Sequence, residues 1–238
     1  MRLSLETRGV GDVTIVRCNG RIVAGGETEL LHVHVHRLME DRTDIVLHLG
    51  DVVFIDSSGL GMLVRLLISM RKNGGDLKLC NVPQDIHKVL KMTNLNTLFA
   101  MHESEEDAIS AFYTRNATSE PKTFDGPRLL CVDPSPDVLA YLRELLRRAG
   151  YNVLTNSNLH DSLILIRAIQ PGLVIVGPNL MSSPGTQKAF QDACAQLSVL
   201  ELGDEFATLD AGQAGSELLK KIQKRLHPTS SHLPTERN

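Results

Sequence analysis

A short segment of the N-terminal half combines one carboxyl group, two hydroxyl groups and two glycines. Residues 54–61 read F-I-D-S-S-G-L-G; they follow an apolar run and precede a long apolar helical pattern. A serine or aspartate at such a strand-to-helix junction caps the helix by accepting hydrogen bonds from its free N–H groups. A serine hydroxyl there can also be phosphorylated, because the positive end of the helix dipole tolerates an added charge of about −2. Composition alone leaves both roles open, a helix cap and a phosphorylation site.

The same serines do not fit a hydrolase. A nucleophile elbow needs glycine two residues before and two residues after the catalytic serine, whereas Ile55 precedes Ser57 and Asp56 precedes Ser58 at that spacing. The sequence also lacks the phosphate-binding patterns G-x-x-x-x-G-K-[ST] and G-x-G-x-x-G. We therefore expect no enzymatic activity, no catalytic residues and no cofactor.

Three histidines, His32, His34 and His36, form an H-x-H-x-H pattern. In a strand this spacing would place three imidazoles on one face and favour a metal site. The surrounding pattern is helical, so that only His32 and His36 share a face. Two histidines bind zinc poorly without further ligands, and we expect a solvated or partner-facing helix surface with no metal.

Charge and composition exclude several other classes. Lys+Arg number 25 against Asp+Glu 28, aromatic residues are 4% of the 238 residues, and neither half has a basic excess, which disfavours nucleic-acid binding. The four cysteines are isolated from one another, without a C-x-x-C pair, and suggest neither a zinc site nor a disulfide framework. No apolar run has the length of a signal peptide or a membrane span. We expect a soluble cytoplasmic protein that binds no membrane.

The first half has the pattern of an α/β layer structure. Residues 13–22 alternate and are β-branched, and Asn19-Gly20 predicts a turn that divides them into two short strands or a strand and a turn. The order of elements predicted for this half is β-β-α-β-α-β-α with a terminal helix. The later elements are a helix at 27–40, a strand at 44–49, a helix ending at 73–75, a strand at 77–80 and helices at 83–92 and 103–113.

The D-S-S-G-L-G hexapeptide after an apolar strand, inside a unit of this element order, resembles the STAS domain of anti-sigma factor antagonists. The resemblance covers roughly residues 3–113. It implies that Ser57 is the phosphorylation site, and that Asp56, Ser57, Ser58, Gly59, Leu60 and Gly61 form the partner-binding loop. In this family Asp56 would position the loop, Ser58 would cap the helix, and both glycines would allow close approach.

The resemblance further implies partner switching. The unphosphorylated domain would bind an anti-sigma factor serine kinase of the histidine-kinase-like ATPase type and so release the sigma factor. The kinase would then phosphorylate Ser57 and dissociate, and a PP2C-type phosphatase would reset the switch. STAS relatives that dock on another ATPase or scaffold a stress-signalling complex without phosphorylation are one alternative function, and a small-molecule sensor is another.

The second half begins after a polar segment without apolar periodicity. Residues 115–126 are predicted to be a linker between a STAS domain at 1–114 and a second domain at 127–227, and residues 228–238 a flexible tail. Strand and helix patterns alternate from residue 128 and predict a doubly wound parallel sheet closed by a helix. Leu218, Leu219, Ile222 and Leu226 form an apolar stripe in that helix, which we expect to be core.

Residues 127–226 resemble the receiver domain of response regulators, a flavodoxin-like fold. A working receiver needs an acidic pair after its first strand for Mg²⁺, and an aspartate at the end of its third strand as phosphoacceptor. Here Asp133 is the one acid clearly retained, and Gly177 occupies the phosphoacceptor position. The resemblance therefore implies a pseudoreceiver without phosphoryl chemistry. Such a domain would serve docking to a second partner or self-association.

Overall fold

The computed structural model of the chain describes residues 1–40, 44–118, 127–178, 180–203 and 211–226, without the side chains of 115–118 and 211–212. The chain divides into two compact units, Met1–Glu120 and Pro121–Asn238. Each unit has its own sheet and its own buried apolar cluster, as expected of separately folded domains.

The first unit is built on a five-stranded sheet of order β1-β2-β3-β4-β5. Strand β1 is antiparallel to β2, and every later pairing is parallel. The strands are β1 (Ser4–Val10), β2 (Val13–Ile22), β3 (Asp44–Ile55), β4 (Asp76–Cys80) and β5 (Ala100–His102). The helices are α1 (Gly26–Leu38), α2 (Ser57–Lys72), α3 (Gln84–Met92) and α4 (Glu105–Thr118), with one 3-10 turn at Leu95–Thr97.

Helices α1, α2 and α3 cover one face of this sheet, because their apolar residues and alternate strand residues form one buried cluster. The cluster includes Leu31 and Leu63 from the helices, and Leu47 and Leu79 from the strands. Helix α4 contacts β2 to β5 and buries Phe112. The sheet therefore lies between two helical layers, as the α/β pattern predicted.

The predicted break at Asn19-Gly20 is wrong. Strand β2 runs through both residues, and the hairpin turn lies earlier, at Gly11 and Asp12. Gly20 has φ 112° and sits beside a register shift in the β2–β3 pairing. A side chain there would overlap the Arg2 carbonyl, so Gly20 serves close backbone approach inside a strand.

The second unit is a four-stranded parallel sheet of order β7-β6-β8-β9. Its strands are β6 (Arg128–Val132), β7 (Asn152–Asn156), β8 (Leu173–Val176) and β9 (Val199–Glu201). Its helices are α5 (Pro136–Arg148), α6 (Leu159–Ile169), α7 (Pro184–Cys194) and α8 (Ala211–Leu226). Helix α7 was not predicted from the sequence, although Ser183 caps it and Pro184 begins it.

The apolar stripe of α8 belongs to the core, as expected. Leu218 and Ile222 are buried with α5 and with alternate strand residues, and Leu219 and Leu226 pack against them. Helices α6 and α7 contact each other. Helix α4 of the first unit continues to Thr118, into the segment predicted as linker. The remainder of that segment, residues 119–126, and the tail at 228–238 lie outside the described residues.

Candidate functional site

Ser57 is the first residue of α2 and follows the carboxyl end of β3, the longest strand. Strand β3 pairs with β4 only from Asp44 to His48 and then continues beside β2 as far as Ile55. The strand therefore carries the start of α2 beyond the body of the sheet. Both Ser57 and Ser58 are exposed there, so either hydroxyl is accessible to another protein.

Asp56 caps α2 and ties it to the neighbouring loop. One carboxylate oxygen accepts a hydrogen bond from the Gly59 N–H at 2.8 Å, and the other accepts from the Ala24 N–H at 2.9 Å. The Asp56 N–H donates to the carbonyl of Ile22 at 3.2 Å. The hydrogen bonds that the carboxylate accepts, with Ala24 the largest contributor and Gly59 next, lower the pKa of Asp56, because they stabilise its charged form.

The expectation that Ser58 caps the helix is therefore wrong. Asp56 has the extended backbone of an N-cap residue, and its side chain accepts the capping hydrogen bond. Asp56 also positions the loop, because its second oxygen holds the end of the β2–α1 connection. Both serines are consequently free of any capping role in the described structure.

The two glycines of the hexapeptide serve different purposes. A side chain at Gly59 would overlap the Ile22 carbonyl and come within 2.7 Å of Ile55 Cγ1, so this glycine lets α2 pack against the strand ends. A side chain at Gly61 would meet nothing within 4 Å. Leu60, between them, is buried in the apolar cluster. Gly59 is required by the fold, whereas Gly61 leaves an open, shallow surface.

Exposed residues of α2 continue from Ser57 along one side of the helix. They are Ser57, Gly61, Arg65 and Ile68, at helical spacing, and we call them the α2 stripe. Ile68 is 50% exposed, which is high for an isoleucine. Sequence reasoning missed Arg65 and Ile68, although their spacing from Ser57 on a helix was a usable signal.

Two apolar side chains are exposed at the end of β3 that leads into Ser57. Val53 is 69% exposed and Phe54 is 48% exposed. The Arg21 guanidinium lies over the Phe54 ring, 5.1 Å from its centroid, a cation–π contact. Contiguous exposed apolar surface is typical of a protein-binding site.

The histidine pattern lies on a helix, as predicted. His32 and His36 are one turn apart with ring centroids separated by 5.7 Å. His34 faces elsewhere, and its Nε2 lies 2.6 Å from the hydroxyl of Thr7 on β1. Among the described residues, no group of three or more His, Cys, Asp or Glu side chains is arranged to hold a metal ion.

In the second unit, Asp133 and Gly177 come together at the carboxyl ends of β6 and β8. Asp133 is 4% exposed, and its carboxylate accepts from the Ser135 N–H at 2.7 Å. Burial raises its pKa, and that hydrogen bond partly opposes the rise. A Cβ atom placed at Gly177 would lie 2.6 Å from the carboxyl carbon of Asp133. The Asp133 carboxyl therefore fills the space that a side chain at position 177 would need.

In the described parts of the chain, no helix is both long enough and apolar enough to cross a membrane.

Comparison with known proteins finds a family and relatives that match the first unit. A family model, the STAS domain, matches residues 4–108. The chain is 27% identical over 112 residues to the anti-sigma F factor antagonist of Paenibacillus polymyxa, covering 46% of this chain and 95% of that protein. It is 29% identical over 106 residues to the anti-sigma-B factor antagonist of Staphylococcus epidermidis, covering 44% and 98%.

A crystal structure of an anti-sigma factor antagonist from Mycobacterium paratuberculosis is 20% identical, with a TM-score of 0.41, covering 46% of this chain and 92% of that one. The sequence matches agree with the D-S-S-G-L-G hexapeptide and with the element order of the first unit. Residues 4–108 of this chain are therefore a STAS domain of the anti-sigma factor antagonist type.

Proposed function

We propose that this protein is a non-enzymatic, cytoplasmic anti-sigma factor antagonist that acts by partner switching at Ser57. With Ser57 unphosphorylated, the first unit binds an anti-sigma factor serine kinase of the histidine-kinase-like ATPase type. The kinase phosphorylates Ser57 and dissociates, and a PP2C-type phosphatase returns the protein to its binding state. The names of the curated relatives, antagonists of anti-sigma factors, support this class of partner.

The observation that carries the proposal is the exposure of Ser57 at the start of α2, next to an aspartate that already caps the helix. Because Asp56 provides the cap, the Ser57 hydroxyl has no structural duty that phosphorylation would disrupt. The helix N-terminus lowers the cost of the added negative charge within the domain itself. A partner packed against this surface would have to bury that charge, which is costly without compensating cations.

The α2 stripe, with Val53 and Phe54 beside it, supplies a surface for the kinase. Ile68 of the stripe and Phe54 of β3 are exposed apolar side chains, and the space above Gly61 is open. A partner that contacts this surface would bury exposed apolar area, the main source of favourable free energy in association. Phosphate at Ser57 would then be placed inside the interface.

For the second unit we propose a receiver-like domain that no longer accepts a phosphoryl group and serves docking or dimerisation. Its parallel sheet with helices is compatible with a receiver fold. The packing of Asp133 into the space beside Gly177 supports the loss of phosphoryl chemistry, because an aspartate at position 177 would have to displace it. The role in docking is a proposal that does not depend on Ser57.

The test uses four baits of the full chain, Ser57→Ala, Ser57→Asp, Ser58→Ala and Ser58→Asp, to capture proteins from the native cell lysate. Ser58 is the matched control, because it is adjacent to Ser57, exposed, and also in the first turn of α2. We expect Ser57→Ala and both Ser58 variants to retain a serine-kinase ATPase, and Ser57→Asp to lose it. The purified kinase should then add one phosphate to the wild type and none to Ser57→Ala, as read by intact mass.

Retention of the kinase by Ser57→Asp, or equal phosphorylation of Ser57→Ala, would contradict partner switching at Ser57. Retention of the same ATPase by all baits would favour a scaffold that docks without phosphorylation. Ligand-dependent shifts in melting temperature without a kinase partner would favour a small-molecule sensor.

A further inference from the structure

Strand β9 is an outer strand of the second sheet. Within the described residues it pairs on one side only, with β8. The Ser198 carbonyl and the Leu202 N–H make the hydrogen bonds to β8 at the two ends of the strand, at 2.9 and 2.8 Å. Because successive residues of a strand direct their backbone groups to opposite sides, the N–H and C=O groups of Val199 and Glu201 face away from β8.

A basic groove of about 720 Å³ runs along this outer edge. It is lined by β9 and by Lys221, Lys224 and Arg225 of α8. Arg225 Nη1 donates a hydrogen bond to the Val199 carbonyl at 2.9 Å, which confirms that this carbonyl faces outward. Glu201 also lines the groove, so that three cations face one carboxylate.

A second groove of about 510 Å³ contacts the same strand and takes the largest share of its lining from α7. Its lining is mixed: Leu180 and Phe190 are among its apolar side chains, and Gln187 and Gln191 are among its polar ones. Val199 and Glu201 line both grooves. The outer edge of β9, where Arg225 occupies the Val199 carbonyl, is therefore bordered by one basic groove and one groove of mixed polarity.

We propose that the outer edge of β9 binds an extended segment of a partner protein by strand addition. Successive side chains of an added strand point to opposite faces of the sheet. The bound segment therefore alternates acidic residues, which face Lys221 and Lys224, with apolar residues, which enter the groove beside Phe190. Main-chain hydrogen bonds supply affinity, one of them replacing the Arg225 contact to the Val199 carbonyl, and the two grooves select the sequence.

This inference rests on the docking role proposed for the second unit and gives that role a surface. It is independent of Ser57, so that failure of the phosphorylation switch would leave it standing. Lysines beside a short edge strand also protect a sheet against unwanted pairing. That purely protective role predicts that no peptide binds.

The probe is a short synthetic peptide, capped at both ends, that alternates Glu with Val or Ile. Binding to the full chain is measured by fluorescence anisotropy of a labelled peptide. Controls are a peptide with Lys in place of Glu and a peptide of the same composition with its Glu residues in one block. We expect binding of the alternating acidic peptide alone, and weaker binding at high salt because exposed charge pairs are screened.

Glu201→Pro removes an outward N–H without touching the hydrogen bonds to β8, and Glu201→Thr is its matched control, since it removes the same charge and keeps the N–H. We expect Glu201→Pro to abolish peptide binding and Glu201→Thr to retain it. The double variant Lys221→Glu/Lys224→Glu should bind about tenfold more weakly or worse. Far-UV circular dichroism checks that each variant is folded.

Three results would overturn the proposal. One is absence of binding by the alternating acidic peptide, which would leave the protective role. Another is equal binding by Glu201→Pro and Glu201→Thr, which would exclude strand addition. The third is binding of the peptide only after residues 204–210 are replaced by a Gly/Ser linker. This result would mean that the chain's own residues, and not a partner, occupy the edge of β9. The Ser57→Ala and Ser57→Asp variants should bind the peptide as the wild type does.

Discussion

Replacing each glycine of the hexapeptide by alanine separates the demands of the fold from those of a partner. At Gly59 the new Cβ would overlap the Ile22 carbonyl and approach Ile55 Cγ1 to 2.7 Å. Backbone on one side and buried side chain on the other leave it little room to relax, and overpacking of this kind costs about 1–3 kcal/mol. At Gly61 the new Cβ meets nothing within 4 Å, and alanine in a helix is favoured over glycine by about 0.5–1 kcal/mol.

We therefore expect Gly59→Ala to destabilise the first unit and Gly61→Ala to stabilise it slightly. Amide hydrogen exchange, read by mass spectrometry on peptides of the first unit, measures the stability of that unit within the full chain. Equal stability of the two variants, or a Gly61→Ala variant less stable than Gly59→Ala, would refute the packing argument.

A substitution at Gly61 also tests the proposed partner surface. A larger change, Gly61→Gln, should leave stability near that of the wild type and weaken binding of the anti-sigma kinase by about tenfold or more, because a side chain would project into the interface. Titration of the purified kinase against the wild type and against Gly61→Gln measures the change in affinity. Undiminished binding would move the interface away from the α2 stripe.

Further predictions concern ionisable and buried groups. The pKa of Asp56 is lowered in the folded protein. Its ionised carboxylate therefore contributes stability above its ordinary pKa of about 4, and this contribution is lost as the pH falls through the lowered pKa. In thermal melting, Asp56→Asn should be less stable than the wild type at neutral pH and should lose less stability on acidification. The pKa of Asp133 is raised by burial, so its ionisation costs stability as the pH rises, and Asp133→Asn should melt at a higher temperature than the wild type at neutral pH. Gly177→Ala should cost about 1–3 kcal/mol, and combining it with Asp133→Gly should cost clearly less than the sum of the two single changes in a double-mutant cycle. Burial raises the pKa of the Cys131 thiol to about 12, so this thiol should react with a thiol reagent only on unfolding. Cys194 lines the groove beside β9 and should react earlier. Rapid reaction of Cys131 in the native protein would contradict its burial.

Long elements with strong periodicity were predictable from the sequence, because their hydrophobic spacing reports which face is buried. Helix α2 and the helical placement of His32 and His36 are examples. Strand β5 was missed because three residues are too few to show alternation. Helix α7 was missed because, of its eleven residues, only Phe190 and Cys194 are buried, too few to show a helical period.

The sequence by itself determined where a serine follows an aspartate at a strand-to-helix junction, and hence which loop to examine. Only the tertiary structure decided which residue caps the helix, because Asp56 accepts its second hydrogen bond from Ala24, far away along the chain. Only the tertiary structure also shows that a side chain at Gly59 would overlap the Ile22 carbonyl, and that the Asp133 carboxyl fills the space beside Gly177. Local spacing reports which side of an element is buried, whereas contacts between distant segments arise only when the sheet brings their ends together.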